Sequence, residues 1–246
     1  MQYTLNNQSF ELPELNRTGG PSPAVATFHK ALDAANSFAA AKHQVNDDPA
    51  LSSIGKMAKL IPLKKALWRQ LAASAKEIAA ARREVEAKTA ILYEVGTPTT
   101  PYEVAIDREI RDWWQGANAE KRTAFLHTVS NGTADLAMVV ALLRSPVPAL
   151  FDLEMRGLKE AFEKQMRDAD PDLWAAIEDD GRAIDWTERG MNFVLALTYA
   201  LTETNRGEVL KELVKDGDYA GAIALGFSPD EFAIEKRLAA AKPAYA

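Results

Sequence analysis

The chain has 246 residues, 47% apolar and 26% charged, an ordinary globular composition in a length that can bury its own core. It contains no cysteine, which excludes a disulfide scaffold, a thiolate metal site and thiol catalysis. With 29 basic and 35 acidic residues the net charge is −6, which argues against nucleic acid as a partner for the chain as a whole.

Residues 2–12 read as a β-hairpin. Tyr3 to Leu5 and Ser9 to Leu12 flank Asn6-Asn7-Gln8, and Asn tolerates the positive φ of a tight turn. A lone hairpin is marginal, so it needs a helix or another chain, and its edge could extend a neighbouring sheet. Asn16 to Pro21 reads as a flexible lead-in. Ser22-Pro23 then signals a helix start, and Val25, Phe28, Leu32, Ala35 and Phe38 form one apolar face to about Asp47. Asp48-Pro49 repeats the start signal and predicts a short helix. Pro62 is expected to start or kink the longest helix, a rod of roughly 50 Å ending near Val95. In it Leu71, Ile78, Val85 and Leu92 recur every seven residues, while the companion row, Leu67, Ser74, Ala81, Lys88 and Val95, is small or polar in part. A half-filled seam of this kind calls for a second helix, from a second copy or from the first helix folding back.

Gly96 to Pro101 cannot continue a helix and is read as the linker between residues 1–95 and 102–246. Charge divides there too: residues 1–95 hold 12 basic and 9 acidic residues, the remainder 17 and 26. Downstream, Thr100 to Glu103 is a capping box opening a helix to Gly116, and Asn118 caps one that stops at Asn131-Gly132. Helices are expected over 134–144, closed by Pro146 and Pro148, and over 151–167. Asp170-Pro171 opens a short one ending at Gly181, and Trp186 to Glu203 reads as central core. Residues 208–215 and 219–225 are short helices. Ser228 to Glu231 caps the last, before a non-helical tail from Lys242 to Ala246. The expected fold class is all-α: a short N-terminal hairpin and long Ala-rich helices, then a multi-helix C-terminal bundle.

The chemistry-bearing motifs are weak. There is no Gly-rich phosphate loop, no G-x-S-x-G elbow and no H-E-x-x-H. His29 and His43 stand too far apart on one helix to share a metal, and they and His127 read as partly exposed helix histidines. Asp168, Asp170 and Asp172 resemble the start of a calcium loop, but Leu173 and Asp179 occupy its glycine and glutamate positions, so Asp170 reads as a cap. Asp107, Glu109 and Asp112, and Glu178, Asp179 and Asp180, read as solvated carboxylates rather than a catalytic pair. No cofactor or metal is expected.

The marked feature is a basic patch of Lys56, Lys59, Lys64, Lys65, Arg69, Lys76, Arg82 and Arg83, opposed within residues 56–83 by Glu77 alone. It can meet an acidic protein surface, nucleic acid with Trp68 stacking, or water. Trp113-Trp114 point about 100° apart on a helix, one toward the core and one toward a core edge or interface. The interface candidates are therefore Leu71, Ile78, Val85, Leu92, Trp113 and Trp114.

Glu109 to Gly116, continuing through Lys121 to Leu126 and Ala141 to Pro146, resembles helical proteins of tailed bacteriophages and prophages. The hairpin with an Asn-rich turn and the Ala-rich helices are similar to that group as well. The resemblance implies a virion or morphogenesis protein that works by assembly, and it carries over no catalytic residue. The expectation is a non-enzymatic structural protein acting through helix-mediated oligomerisation, with itself or other proteins as partners. The alternative is a helical nucleic-acid-associated protein using the basic helix. Residues 1–7 lack the regions of a signal peptide, and the longest apolar run, Phe193 to Leu201, falls short of the ~20 residues of a membrane span. Synthesis in the cytoplasm, with or without incorporation into a virion, is expected.

Overall fold

A computed structural model describes residues 1–15, 22–144 and 152–241. The lead-in at 16–21, the closing prolines 146 and 148, Phe151 and the tail at 242–246 lie outside the described residues. Helices hold 79% of the structure, beside a single two-stranded sheet among the described residues, so the chain is all-α with a short N-terminal hairpin. By packing, the chain divides into residues 1–85 with 178–246 and, separately, residues 86–177. The division falls inside two helices and not at 96–101. That segment is irregular, as its prolines require, but it belongs wholly to the second unit.

The first unit begins with β1 (Gln2–Leu5) and β2 (Gln8–Glu11), paired antiparallel with Leu5 opposite Gln8. Asn6 and Asn7 take φ of 48° and 64°, the left-handed pair that a two-residue hairpin turn requires. The hairpin is not left waiting for another sheet. Leu5, Phe10 and Leu12 are buried, and Tyr3 packs edge-on to Phe28 and Trp186. Trp186 Nε1 donates to the Pro13 carbonyl at 2.8 Å, and Asn36 Nδ2 to that of Thr4 at 3.1 Å.

These contacts come from α1 (Pro23–Asp47) and α7 (Pro171–Thr202). The predicted face of α1 is the observed one: Phe28, Leu32, Ala35 and Phe38 are buried. Asp48-Pro49 does not open a helix, because Asp48 Oδ1 accepts from Ala50 N in a turn. The next helix, α2 (Ser53–Tyr93), starts where Ser52 Oγ accepts from Gly55 N, and it runs straight through Pro62. Pro62 and Ala58 are both exposed, so the carbonyl deprived of its helical donor faces water. In the same way α7 passes through Gly181. The roughly 1 kcal/mol that glycine costs a helix is outweighed by buried side chains on either side, among them Ile177, Ala183 and Ile184. Residues 186–203 are central, as expected: Val194, Thr187, Thr198 and Thr202 are fully buried. The unit is completed by α8 (Arg206–Lys215), α9 (Tyr219–Ala224) and α10 (Pro229–Ala241), the last opened by the Ser228–Glu231 capping box.

The second unit contains α3 (Pro101–Gly116), α4 (Ala119–Ser130), α5 (Leu136–Leu143) and α6 (Asp152–Ala169), with the end of α2 and the start of α7. The Thr100–Glu103 capping box and the Asn118 cap are in place, and Gly132 has the left-handed φ of 69° that stops α4. Its core gathers Trp114, Phe125, Val139, Leu142, Leu158 and Phe162.

Candidate interaction surface

Helix α2 carries all eight residues of the basic patch, and the fold brings carboxylates of α7, α8 and the α8–α9 turn to one side of it. Arg69 grips Asp216 with two parallel hydrogen bonds of 2.6 and 2.7 Å. Lys65 lies 2.9 Å from Glu212, which also takes Lys215 at 3.0 Å. Lys76 donates to both oxygens of Asp218, and Arg82 reaches Asp185 and Glu188. Lys42 of α1 donates to Glu203 at 2.6 Å. Lys65, Arg69, Lys76 and Arg82 of the patch thus meet carboxylates of this chain's own residues 185–218.

The electrostatics follow from these pairs. The hydrogen bond from Arg69 holds Asp216 below the usual carboxylate range, against a smaller opposing effect of burial. For Glu212 burial is the largest influence and pushes its pKa up, but Lys65 and Lys215 together outweigh it and the net shift is down. Glu203 is lowered first by its bond from Lys42 and least by the charge of Lys64. Arg82 is raised, chiefly by its hydrogen bond with Glu188.

The remaining cations are differently placed. Lys56 donates to the Asn46 carbonyl, Lys59 stands 3.9 Å from Asp48, and Arg83 donates to the Ala79 carbonyl. Lys56, Lys59 and Lys64 sit in the first turns of α2, beside a group of exposed apolar residues. Ile54 is 79% exposed, Met57 66% and Ile61 51%. With the exposed Ala58 they follow the i, i+3, i+4, i+7 spacing of one helix face. All four positions precede Pro62, and their spacing is visible in the sequence alone.

The seam is corrected by the fold. Leu71 and Ile78 are 0% and 3% exposed, inside the core of the first unit, and cannot form an interface without unfolding it. Leu67 and Ser74 are buried too, while Val85 and Leu92 are half-buried. Trp114 is likewise a core residue, 1% exposed, and Trp113 is left 38% exposed against the edge of Phe125. Arg122 lies over the Trp114 ring and donates to the Trp114 carbonyl at 3.0 Å.

The carboxylate candidates do not converge. Asp107 is not solvated but buried, and accepts from Arg144 at 3.2 Å. Asp112 has Arg108 one turn away at 3.9 Å. Asp179 is buried beside Arg182. Asp170 Oδ1 accepts from Leu173 N, the cap geometry that opens α7. His127 Nδ1 meets the Asn131 amide, and His29 packs against Tyr3. Among the described residues no group of three or more His, Asp or Glu is placed to hold a metal ion, and no helix is long and apolar enough to cross a membrane. No protein-family model, curated protein or solved structure matches the chain.

Proposed function

We propose that the chain is a non-enzymatic structural or assembly protein acting through helix-mediated oligomerisation, of the kind found in tailed bacteriophages, made in the cytoplasm and built into a particle. The observation that carries this reading is the apolar face at the start of α2, where Ile54, Met57 and Ile61 stand 51–79% exposed at helical spacing. Apolar side chains in this pattern are the anchors of helix-mediated docking. The rival, a nucleic-acid-associated protein using the basic helix, is weakened because Lys65, Arg69, Lys76 and Arg82 already face carboxylates of the same chain. Phosphate neutralisation would have to break those pairs first.

The test is the mass of the purified protein by light scattering over a wide concentration range, for the wild type and for Met57→Glu. Mass that rises with concentration in the wild type and stays at the monomer in the variant supports the reading. A wild type that remains monomeric throughout, or that binds duplex DNA tightly at about 0.15 M salt, overturns it.

A further inference from the structure

Asn131-Gly132 is the one place in the sequence where asparagine is followed by glycine. This dipeptide loses ammonia more readily than other asparagine pairs. Glycine puts no side chain in the way when its backbone nitrogen attacks the preceding side chain, and it leaves the backbone free to turn. In the fold the pair ends α4, and the reacting groups are held apart. We propose that Asn131 is a deamidation site that the folded cap keeps closed and that fraying of α4 opens. The proposal is independent of the assembly reading.

The reaction needs only water. The Gly132 nitrogen bonds to Cγ of Asn131, its proton passes through solvent to Nδ2, and the Cγ–Nδ2 bond breaks to release ammonia. Water then opens the five-membered imide at one of its two carbonyls. The product is an aspartate or, with the backbone rerouted through the side chain, an isoaspartate.

Three features of the cap oppose the first step. Ring closure requires the Gly132 nitrogen to eclipse Cβ of Asn131 about the Cα–C bond. The ψ of Asn131 is −3°, so that nitrogen eclipses the Asn131 nitrogen instead. The Gly132 N–H is also spent, donating to the Val129 carbonyl at 3.0 Å. Finally, Asn131 Nδ2 lies 2.9 Å from His127 Nδ1, which ties the side chain back along the helix.

The cap is held from two sides. Within the chain turn, Thr133 N donates to the Thr128 carbonyl at 2.9 Å and Gly132 keeps its left-handed φ. From α6, Gln165 Nε2 donates to the Ala134 carbonyl at 2.8 Å, and Lys164 covers Gly132 so closely that a Cβ there would stand 2.7 Å from its Nζ. Asn131 is exposed, so water reaches the pair once these bonds part, and helix ends are among the places that open most cheaply. The product does not rebuild the cap. It sets a carboxylate at the C-terminal end of α4, where the helix dipole disfavours negative charge, and an isoaspartate also lengthens the backbone of the turn.

The test incubates the full chain at neutral pH and follows, by peptide mass mapping, the conversion of the residue 131 amide to an acid. Three conditions are compared for the wild type and Gln165→Ala: buffer, guanidinium chloride below the unfolding transition, and guanidinium chloride above it. In buffer the wild type should react at least about tenfold more slowly than when unfolded, the factor by which closed caps outnumber open ones. Its rate should climb in the subdenaturing condition, before circular dichroism registers global unfolding. Gln165→Ala should react faster than wild type in buffer and at the same rate once both are unfolded. Equal rates for folded and unfolded wild type, or no conversion at Asn131 in either state, would overturn the proposal. So would a rate that stays flat until global unfolding, which needs no variant to be measured.

Discussion

In the unit formed by residues 1–85 and 178–246, buried apolar side chains come from the hairpin and from every helix of the unit; the pairs along α2 stand at its rim, and the buried Asp179 meets the exposed Arg182. In the unit formed by residues 86–177 one cluster of nine buried apolar side chains, among the described residues, is accompanied by an ion pair taken inside, Asp107 with Arg144. The first can lose a contact and keep a core. The second depends on a few large side chains and on one polar pair that must stay matched. Reserve, more than helix content, distinguishes the two, and it sets where substitutions should hurt.

The largest effect is expected at Trp114. It is 1% exposed and touches Phe125 edge-on. Trp114→Ala should cost about 3–5 kcal/mol in urea unfolding. Amide exchange should locate the loss: protection should fall in α3 to α6 while α1 and α8 keep theirs. A uniform fall would mean that the two units unfold as one block. Trp114 Nε1 is buried without a hydrogen-bond partner, so Trp114→Phe removes an unpaired donor along with part of the ring and should cost much less.

Next comes the internal ion pair. Arg144→Met leaves the Asp107 carboxylate buried and uncompensated, and should cost about 2 kcal/mol, below the fully buried case because the Arg144 side chain is 20% exposed. Arg144→Met combined with Asp107→Leu should recover most of that stability. If the double variant is no better than the single, the pair is not what makes this unit sensitive. In the larger unit the comparable weak point is steric. A Cβ on Gly190 would stand 2.6 Å from Phe28 Cε2 and 3.0 Å from Leu12, so Gly190→Ala should cost about 1–3 kcal/mol by thermal melting. A neutral or stabilising result would show that the aromatic cluster under the hairpin yields.

Local signals were legible to the extent that local chemistry decides them. Caps and turns set by one or two residues, at Asn6-Asn7, Thr100–Glu103, Asn118 and Ser228–Glu231, stand where the sequence places them. Breaks were misjudged where packing outvotes a local penalty: Pro62 and Gly181 look like helix ends, yet both lie inside long helices. The division at 96–101 rests on that segment's prolines and on the change of charge, whereas by packing the boundary falls inside α2 and α7. The basic patch was legible as charge, but its partners lie more than 100 residues away in sequence, at Glu188, Glu212, Asp216 and Asp218. Asp107 was misjudged for the same reason, since Arg144 comes from a different helix end.

The smallest effect separates a rim of ion pairs from an internal one. Asp216 and Glu212 have folded pKa values below their ordinary 3.8 and 4.5. Ionised carboxylates are thus favoured by the fold, so their contribution is present above about pH 5 and is lost as pH falls through the folded values. Asp216→Asn deletes the carboxylate that Arg69 holds, so the variant should be slightly less stable than wild type at pH 7. As the pH falls through the lowered folded value of Asp216 the two should converge, because the wild-type carboxylate is then protonated in the folded state too. Raising the salt at pH 7 should also narrow the gap, since exposed pairs are screened. The buried Asp107–Arg144 pair is screened much less, so the penalty of Arg144→Met should persist at high salt. Melting curves over pH and salt for the two variants read both trends at once. If the Asp216→Asn gap neither closes in acid nor shrinks in salt, the pairs along α2 do not stabilise the first unit, and its rim is as indifferent to charge as its core.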